Sequence, residues 1–218
     1  MLMNAQWLDA LLLLVFSVPI VTHYRILPIS GTPYWLFTVL FILLLGNLII
    51  SFFPSVAPFK LYSRVKNIFL YFIVIIVFGG TVGTAIVDRS KTAPVFGVHD
   101  IILQQEAAMR YFLEGKNPYK ETYFNTPLES WHYDELGKPA VNPALYHFVM
   151  PPWYLLFPFG FYFISIPMLG FFDGRMPLLI VMFALLFILT RWFKDKGIGR
   201  LAVVLTALSP ATIDYVIE

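Results

Sequence analysis

Long runs of apolar residues dominate this sequence, and they leave few folds open to it. A helix that crosses the hydrocarbon core of a bilayer needs about 20 mainly apolar residues. Stretches of that kind occur at 7–26, 34–53, 68–87, 149–170 and 176–193, and another begins at Leu201. The first carries Asp9 near its start and is interrupted by Pro19. Composition points the same way, with 59% hydrophobic and 13% charged residues and a mean hydropathy of +0.75. Soluble domains carry about 25% charged residues, so a water-soluble fold of this chain would lack the polar surface to cover itself. The expected fold class is therefore all-α, a polytopic membrane helical bundle with five or six spans. Gly79, Gly80 and Gly83 in the third run read as small residues at which helices pack closely.

The remaining composition excludes several classes. A net charge of +2 is too small for a nucleic-acid partner, and with no cysteine there are no disulfides, thiolate metal sites or cysteine nucleophiles. Residues 1–6 carry no Lys or Arg, and no small-residue cleavage site follows the first apolar run, so this is not read as a cleaved signal peptide. The final stretch, 201–218, is apolar with no polar tail, and the expectation is a chain that belongs to a longer protein.

Between 88 and 148 the character changes to charge, Pro, Asn and Tyr. This gives three regions: N-terminal spans at 1–87, a polar loop at 88–148, and further spans at 149–218. Long loops are usually functional or disordered. Lys60, Arg64 and Lys66 in the connector before the third span argue, by the positive-inside rule, that this connector is cytoplasmic. The loop is then extracytoplasmic, and the protein is expected in the plasma membrane. Simple counting of crossings puts Arg191, Lys194, Lys196 and Arg200 outside, against the same rule. The conflict disappears if the proline-rich 149–170 segment does not cross completely, or if the crossing count differs elsewhere.

The loop begins with helical spacing. Ile101, Ile102, Ala108, Met109, Phe112 and Leu113 form one apolar stripe, while Gln104, Glu106, Arg110 and Glu114 fall largely off it. Glu106 and Arg110 are spaced to pair on the helix surface. Asp100 stands where an N-cap belongs and Gly115 where a helix stops, with Pro118 beyond. The pattern predicts an amphipathic helix over about 100–114, lying along the membrane surface. Asp100 has two compatible roles, capping the helix and acting as a general base at the membrane boundary. His99 by itself reads as an ordinary surface histidine. No His, Asp or Glu spacing forms a metal site, and no Gly-rich phosphate loop follows a strand.

These features in their order resemble the GT-C class of membrane glycosyltransferases, most closely the polyprenol-phosphate-mannose-dependent mannosyltransferase-like proteins. The resemblance runs through Asp100 at the head of the loop helix, LEGKNPY at 113–119, the tyrosine-rich stretch, ALYHFVMPPWYLLFPF at 144–159, then Gly170, Arg175 and LSPATIDYVIE. It implies a polyprenyl-phosphate-linked sugar, a hexose such as mannose, as donor. The acceptor is a hydroxyl on a glycan, lipid or protein, and transfer is inverting. Asp100 corresponds to the catalytic base of such enzymes. Glu106, Lys116, Asn117, Tyr119, His147 and Arg175 become candidate substrate-binding residues, with Lys116, His147 and Arg175 as phosphate partners. Asn117 also reads as a turn initiator before Pro118. No cofactor is expected, with a divalent metal left open. Three spans precede the loop, where many members of the class have one.

Two other classes fit the residues. A transporter or flippase of a lipid-linked or small polar substrate would carry ionisable groups in its spans, and Asp9, Asp214 and Glu218 are the candidates. A non-catalytic membrane subunit would use the loop to hold a partner.

Overall fold

The computed structural model describes residues 5–23, 34–53, 58–193 and 196–209; Asp214 and Glu218 lie outside them. The described residues are mostly helical: α1 (Ala5–His23), α2 (Tyr34–Phe52), α3 (Phe59–Val74), a π turn (Ile75–Gly79), α4 (Gly80–Ser90), α5 (Asp100–Leu113), α6 (Pro152–Leu169), α7 (Arg175–Trp192) and α8 (Lys196–Ala207). Among the described residues four helices are long and apolar enough to cross a membrane: Tyr34–Phe52, Lys60–Ser90, Pro152–Leu169 and Arg175–Trp192. The sequence predicts five or six. The first expected span forms α1, whose described apolar part, Trp7–Ser17, is shorter than a span. The described part of the last belongs to the 12-residue α8. Two compact units are built from these elements, one from residues up to 85 and from 179 onward, the other from 86 to 178.

In the first unit α1, α2, α3 and α8 pack together. Leu13, Leu40, Leu44, Leu70, Ile73, Val77, Leu186 and Val203 are almost completely enclosed. Gly46 lets α2 approach α3, because a Cβ there would stand 2.8 Å from the Phe69 ring. A Cβ on Gly79 would meet the Phe183 ring at 3.2 Å, the close packing expected of that glycine. Gly83, by contrast, faces open space.

Charges are also built into this unit. Asp9, 1% exposed, takes Lys66 Nζ on Oδ1 at 2.5 Å and Arg200 Nε on Oδ2 at 2.6 Å. Its Oδ1 also accepts from the Ala10 amide at 2.8 Å. An enclosed carboxylate is tolerable only when paired and hydrogen-bonded, and here one acid serves two cations. Arg200 also donates to Ser63 Oγ. The first turns of α8 therefore lie at the same end of this unit as Lys66. Lys196 Nζ donates to the carbonyls of Thr190 and Phe193, a cation on the C-terminal carbonyls of α7 where the helix dipole favours it.

The second unit is organised around α5. Ile102, Leu103, Ala107, Ala108 and Met109 pack with Tyr123, Leu128, Leu145, Phe148 and Leu155 in one apolar cluster. The sequence predicts a helix resting on a surface with its polar side outward. The structure corrects this: Gln104 and Gln105 are also enclosed. The reason lies in the irregular chain from 118 to 150, which wraps the helix and brings backbone carbonyls that need donors. Gln104 Nε2 donates to the carbonyls of Ala144 and His147 at 2.6 and 2.8 Å. Gln105 Nε2 donates to that of Tyr154 at 2.7 Å. The tyrosines serve the same need. Tyr111, Tyr119 and Tyr123 hydroxyls donate to the carbonyls of Thr122, Met150 and Pro118, and Trp131 Nε1 donates to that of Val98. A short hairpin, β1 (Asp134–Glu135) with β2 (Lys138–Pro139), turns at Leu136 and Gly137, both at positive φ.

Replacing Asp9 by Ala would leave Lys66 and Arg200 without the carboxylate between them. The expected result is a loss of about 3–5 kcal/mol of unfolding free energy, the usual cost of stripping one partner from a buried ion pair. Denaturant unfolding of the detergent-solubilised protein measures it; an unchanged midpoint would mean that the triad contributes nothing net.

Candidate functional site

Two corrections come with the start of α5. The N-cap is His99, and Asp100 is the first helical residue. His99 Nδ1 sits 3.4 Å from the Ile101 amide but only 2.5 Å from Asp100 Oδ1. The Ile101 amide donates to Nδ1, which thereby caps the helix, through a contact that is long for a hydrogen bond. The other oxygen, Asp100 Oδ2, accepts from Asn142 Nδ2 at 2.7 Å. Asn142 is 4% exposed, and its own Oδ1 accepts from the Ala144 amide. The His99 ring lies 5.7 Å from that of Trp131. The carboxylate is thus held on Oδ2 by Asn142, beside an imidazole that keeps nearly half its side-chain surface, 45%, open. Chemically, this is a carboxylate fixed in direction with an imidazole against it.

The other end of α5 closes in a Schellman motif. The Gly115 amide donates to the Phe112 carbonyl and the Lys116 amide to that of Tyr111, with Gly115 at φ 74°, a conformation that favours glycine. Beyond it Asn117 Oδ1 accepts from the Tyr119 amide, which is the expected turn. Lys116, Asn117 and Tyr119 line one cleft of about 530 Å³ with Phe112, Pro152 and Leu155. Lys116 Nζ is engaged by Glu114 at 2.6 Å and lies over the Tyr111 ring; the Glu114 carboxylate raises the lysine's pKa. A helix of this length spans roughly 20 Å. Asp100 and this cleft stand at its opposite ends, so residues that the sequence groups into one site fall in two places.

Glu106 and Arg175 belong to neither. The expected pair of Glu106 with Arg110 is replaced by a bidentate pair with Arg89, at 2.7 Å for each bond. Glu106 Oε1 also accepts from the Gly174 amide. Arg89 reaches Asp173 at 2.9 Å, and Asp173 is bidentate to Arg175 at 2.9 and 2.8 Å. Arg175, 1% exposed, donates further to the Gly97 carbonyl. Burial pushes the Glu106 carboxyl up, against the pull of Arg89. Burial would do the same to Asp173, but the Arg175 and Arg89 guanidiniums outweigh it and hold that carboxyl below the usual range. These side chains are spent on the fold. His147 is exposed on its side chain and contributes only its carbonyl, to Gln104.

Sequence reasoning passed over Arg89, Asp173 and Asn142. Arg89 and Asp173 had a signal: each is a charge placed within three residues of an apolar run. Asn142 had none beyond an Asn-Pro turn. Among the described residues no group of three His, Asp or Glu side chains could hold a metal ion. No family model, curated protein or solved structure matches the chain.

The Asp173→Asn variant tests the network and its pH dependence. A carboxyl held low in the folded state contributes stability that is present above its unfolded value, about 4, and is lost as pH falls through the folded value. The variant is expected to be less stable than the wild type by about 3–5 kcal/mol near neutrality. The gap should narrow in unfolding curves recorded at successively lower pH below about 4.

Proposed function

We propose that the chain is a membrane glycosyltransferase of GT-C type that moves a hexose from a polyprenyl-phosphate donor to an acceptor hydroxyl, with Asp100 as the base. The observation that carries this reading is the Asp100 carboxylate, oriented by Asn142 and paired with the half-open His99. A general base must be fixed in direction and within reach of the proton that it takes. In the proposed step the acceptor oxygen attacks the anomeric carbon from the face opposite the phosphate. The new carbon–oxygen bond forms as the bond to the phosphate oxygen breaks. The hydroxyl proton goes to the Asp100 carboxylate, and polyprenyl phosphate leaves as the anion. Inversion follows from a single displacement. The four helices apolar enough to cross a membrane suit a lipid-linked donor, and the order of motifs from Asp100 through the Asn-Pro-Tyr turn to the Pro-Pro start of α6 supports the class. Glu106 and Arg175 take structural roles in this reading. The Lys116 cleft, roughly 20 Å away along the helix, is too far to hold the departing phosphate.

One observation favours a second reading. Asp9, Lys66 and Arg200 are ionisable groups enclosed among apolar helices, where such residues often mark transport pathways. A transporter or flippase would move its substrate without chemistry.

Membranes carrying the protein, supplied with a polyprenyl-phosphate hexose and a hydroxyl acceptor, separate the two. Transfer by the wild type that falls about 10²–10⁴-fold in Asp100→Ala and Asp100→Asn is the expected result. Full transfer by Asp100→Ala removes the carboxylate from the mechanism. Substrate flux in proteoliposomes without any glycoside formed would establish the transporter instead.

A further inference from the structure

Residues 151–172 contain no charged side chain, and α6 within them has the length and hydropathy of a membrane span. The start of the helix and the chain that returns after it nevertheless meet the same place. Near the start, the Tyr154 carbonyl accepts from Gln105 Nε2 at 2.7 Å. After the helix, Gly174 lies so close to the same amide that a Cβ there would stand 2.3 Å from Gln105 Oε1. The Gly174 amide donates to the neighbouring Glu106, and Asp173 is bound to Arg89 at the end of α4. The turn is made at Gly170, whose φ of 78° and amide bond to the Ile166 carbonyl end the helix. The returning chain lies along the helix, with the Phe172 ring 5.6 Å from that of Tyr162.

Chain length makes the conclusion quantitative. Four extended residue steps reach at most about 14 Å, so Gly170 lies within that distance of Gly174. The hydrocarbon core of a bilayer is about 30 Å thick. A helix whose far end is tied that closely to Asp173 and Arg175 cannot deliver the chain to the other side and have it back in place for α7. We infer that α6 with its return segment is a re-entrant hairpin, inserted into the leaflet on the side of the loop and held by lipid acyl chains, and that it does not cross the membrane. Its outward residues fit that partner: Trp153, Phe163, Ile164, Met168 and Leu169 are exposed in the structure and, apart from the Trp153 indole N–H, apolar. Irregular backbone at membrane depth persists where protein covers it, and Phe171 and Phe172 are half-buried and Asp173 buried.

The inference also removes the charge conflict in the sequence. If α6 does not cross, the chain crosses once through α3 and α4 and once through α7 between Lys66 and Arg200. Both basic segments then face the same side. Within the first unit, Asp9 binds Lys66 and Arg200 together, which requires that arrangement.

The absence of cysteine makes the test direct. Single substitutions Lys60→Cys, Leu136→Cys, Met168→Cys and Trp192→Cys would be labelled in sealed membranes with a water-soluble, membrane-impermeant maleimide, before and after permeabilisation. All four side chains are exposed, Leu136, Met168 and Trp192 at 99%, 75% and 78%, so none should disturb the fold. Trp192→Cys is expected to label with Lys60→Cys and oppositely to Leu136→Cys, while Met168→Cys is protected from both sides. Labelling of Trp192→Cys together with Leu136→Cys would mean that α6 crosses and would overturn the inference. Reaction of Met168→Cys with the water-soluble reagent from either side would overturn lipid as its partner. Neither result bears on sugar transfer, so the enzymatic reading stands or falls separately.

Discussion

Arg89 is the residue on which the second unit depends. Its guanidinium is enclosed, and an enclosed cation is costly unless its partners are in place. Those partners come from two distant segments, Glu106 in α5 and Asp173 in the turn before α7. The pairing therefore fixes the end of α4, the middle of α5 and the beginning of α7 against one another. Everything between 90 and 172 must leave that point and return to it. The wrapped loop, the central position of α5 and the folding back of the chain after α6 are what such a closure requires.

A second constraint is the demand of the loop backbone for hydrogen-bond donors. A segment with little regular structure exposes carbonyls that no ladder satisfies. In this protein the donors are side chains of two kinds, the amides of Gln104 and Gln105 and the hydroxyls and indole of the aromatic residues. This explains why a helix can bury polar residues on faces that the apolar stripe leaves out. It also explains the tyrosine content of the stretch, since a tyrosine gives the apolar cluster a ring and the backbone a donor in one side chain.

The four long apolar helices were legible because a bilayer demands length and hydropathy, and both are local properties of sequence. The limits of α5 were legible for the same reason: Gly115 marks its end by a backbone angle that glycine adopts most easily. Three matters were not. The capping position shifted by one residue because the His99 ring nitrogen accepts from the Ile101 amide. Glu106 looked like a surface residue because its partner, Arg89, lies outside the helix that the periodicity describes. The return of the chain after α6 to Gln105 gave no sign either, because hydropathy records what a helix can dissolve in and says nothing of where the chain goes after it. Of the candidate site, Asp100 stood out in sequence, whereas Asn142, which holds its carboxylate, had no pattern to announce it.

The shared carboxylate of Asp9 carries a consequence for how the protein is made. Asp9 leaves the ribosome before Lys66, and Arg200 follows more than a hundred residues after the lysine. Asp9 and Lys66 can neutralise each other while the early helices associate, so neither has to enter an apolar environment alone. When Arg200 emerges it finds an anion already in position, with its Oδ2 face unclaimed by the lysine. The order of synthesis and the order of charge compensation then coincide, and α8 docks after the early helices, onto a bundle that carries its counter-ion.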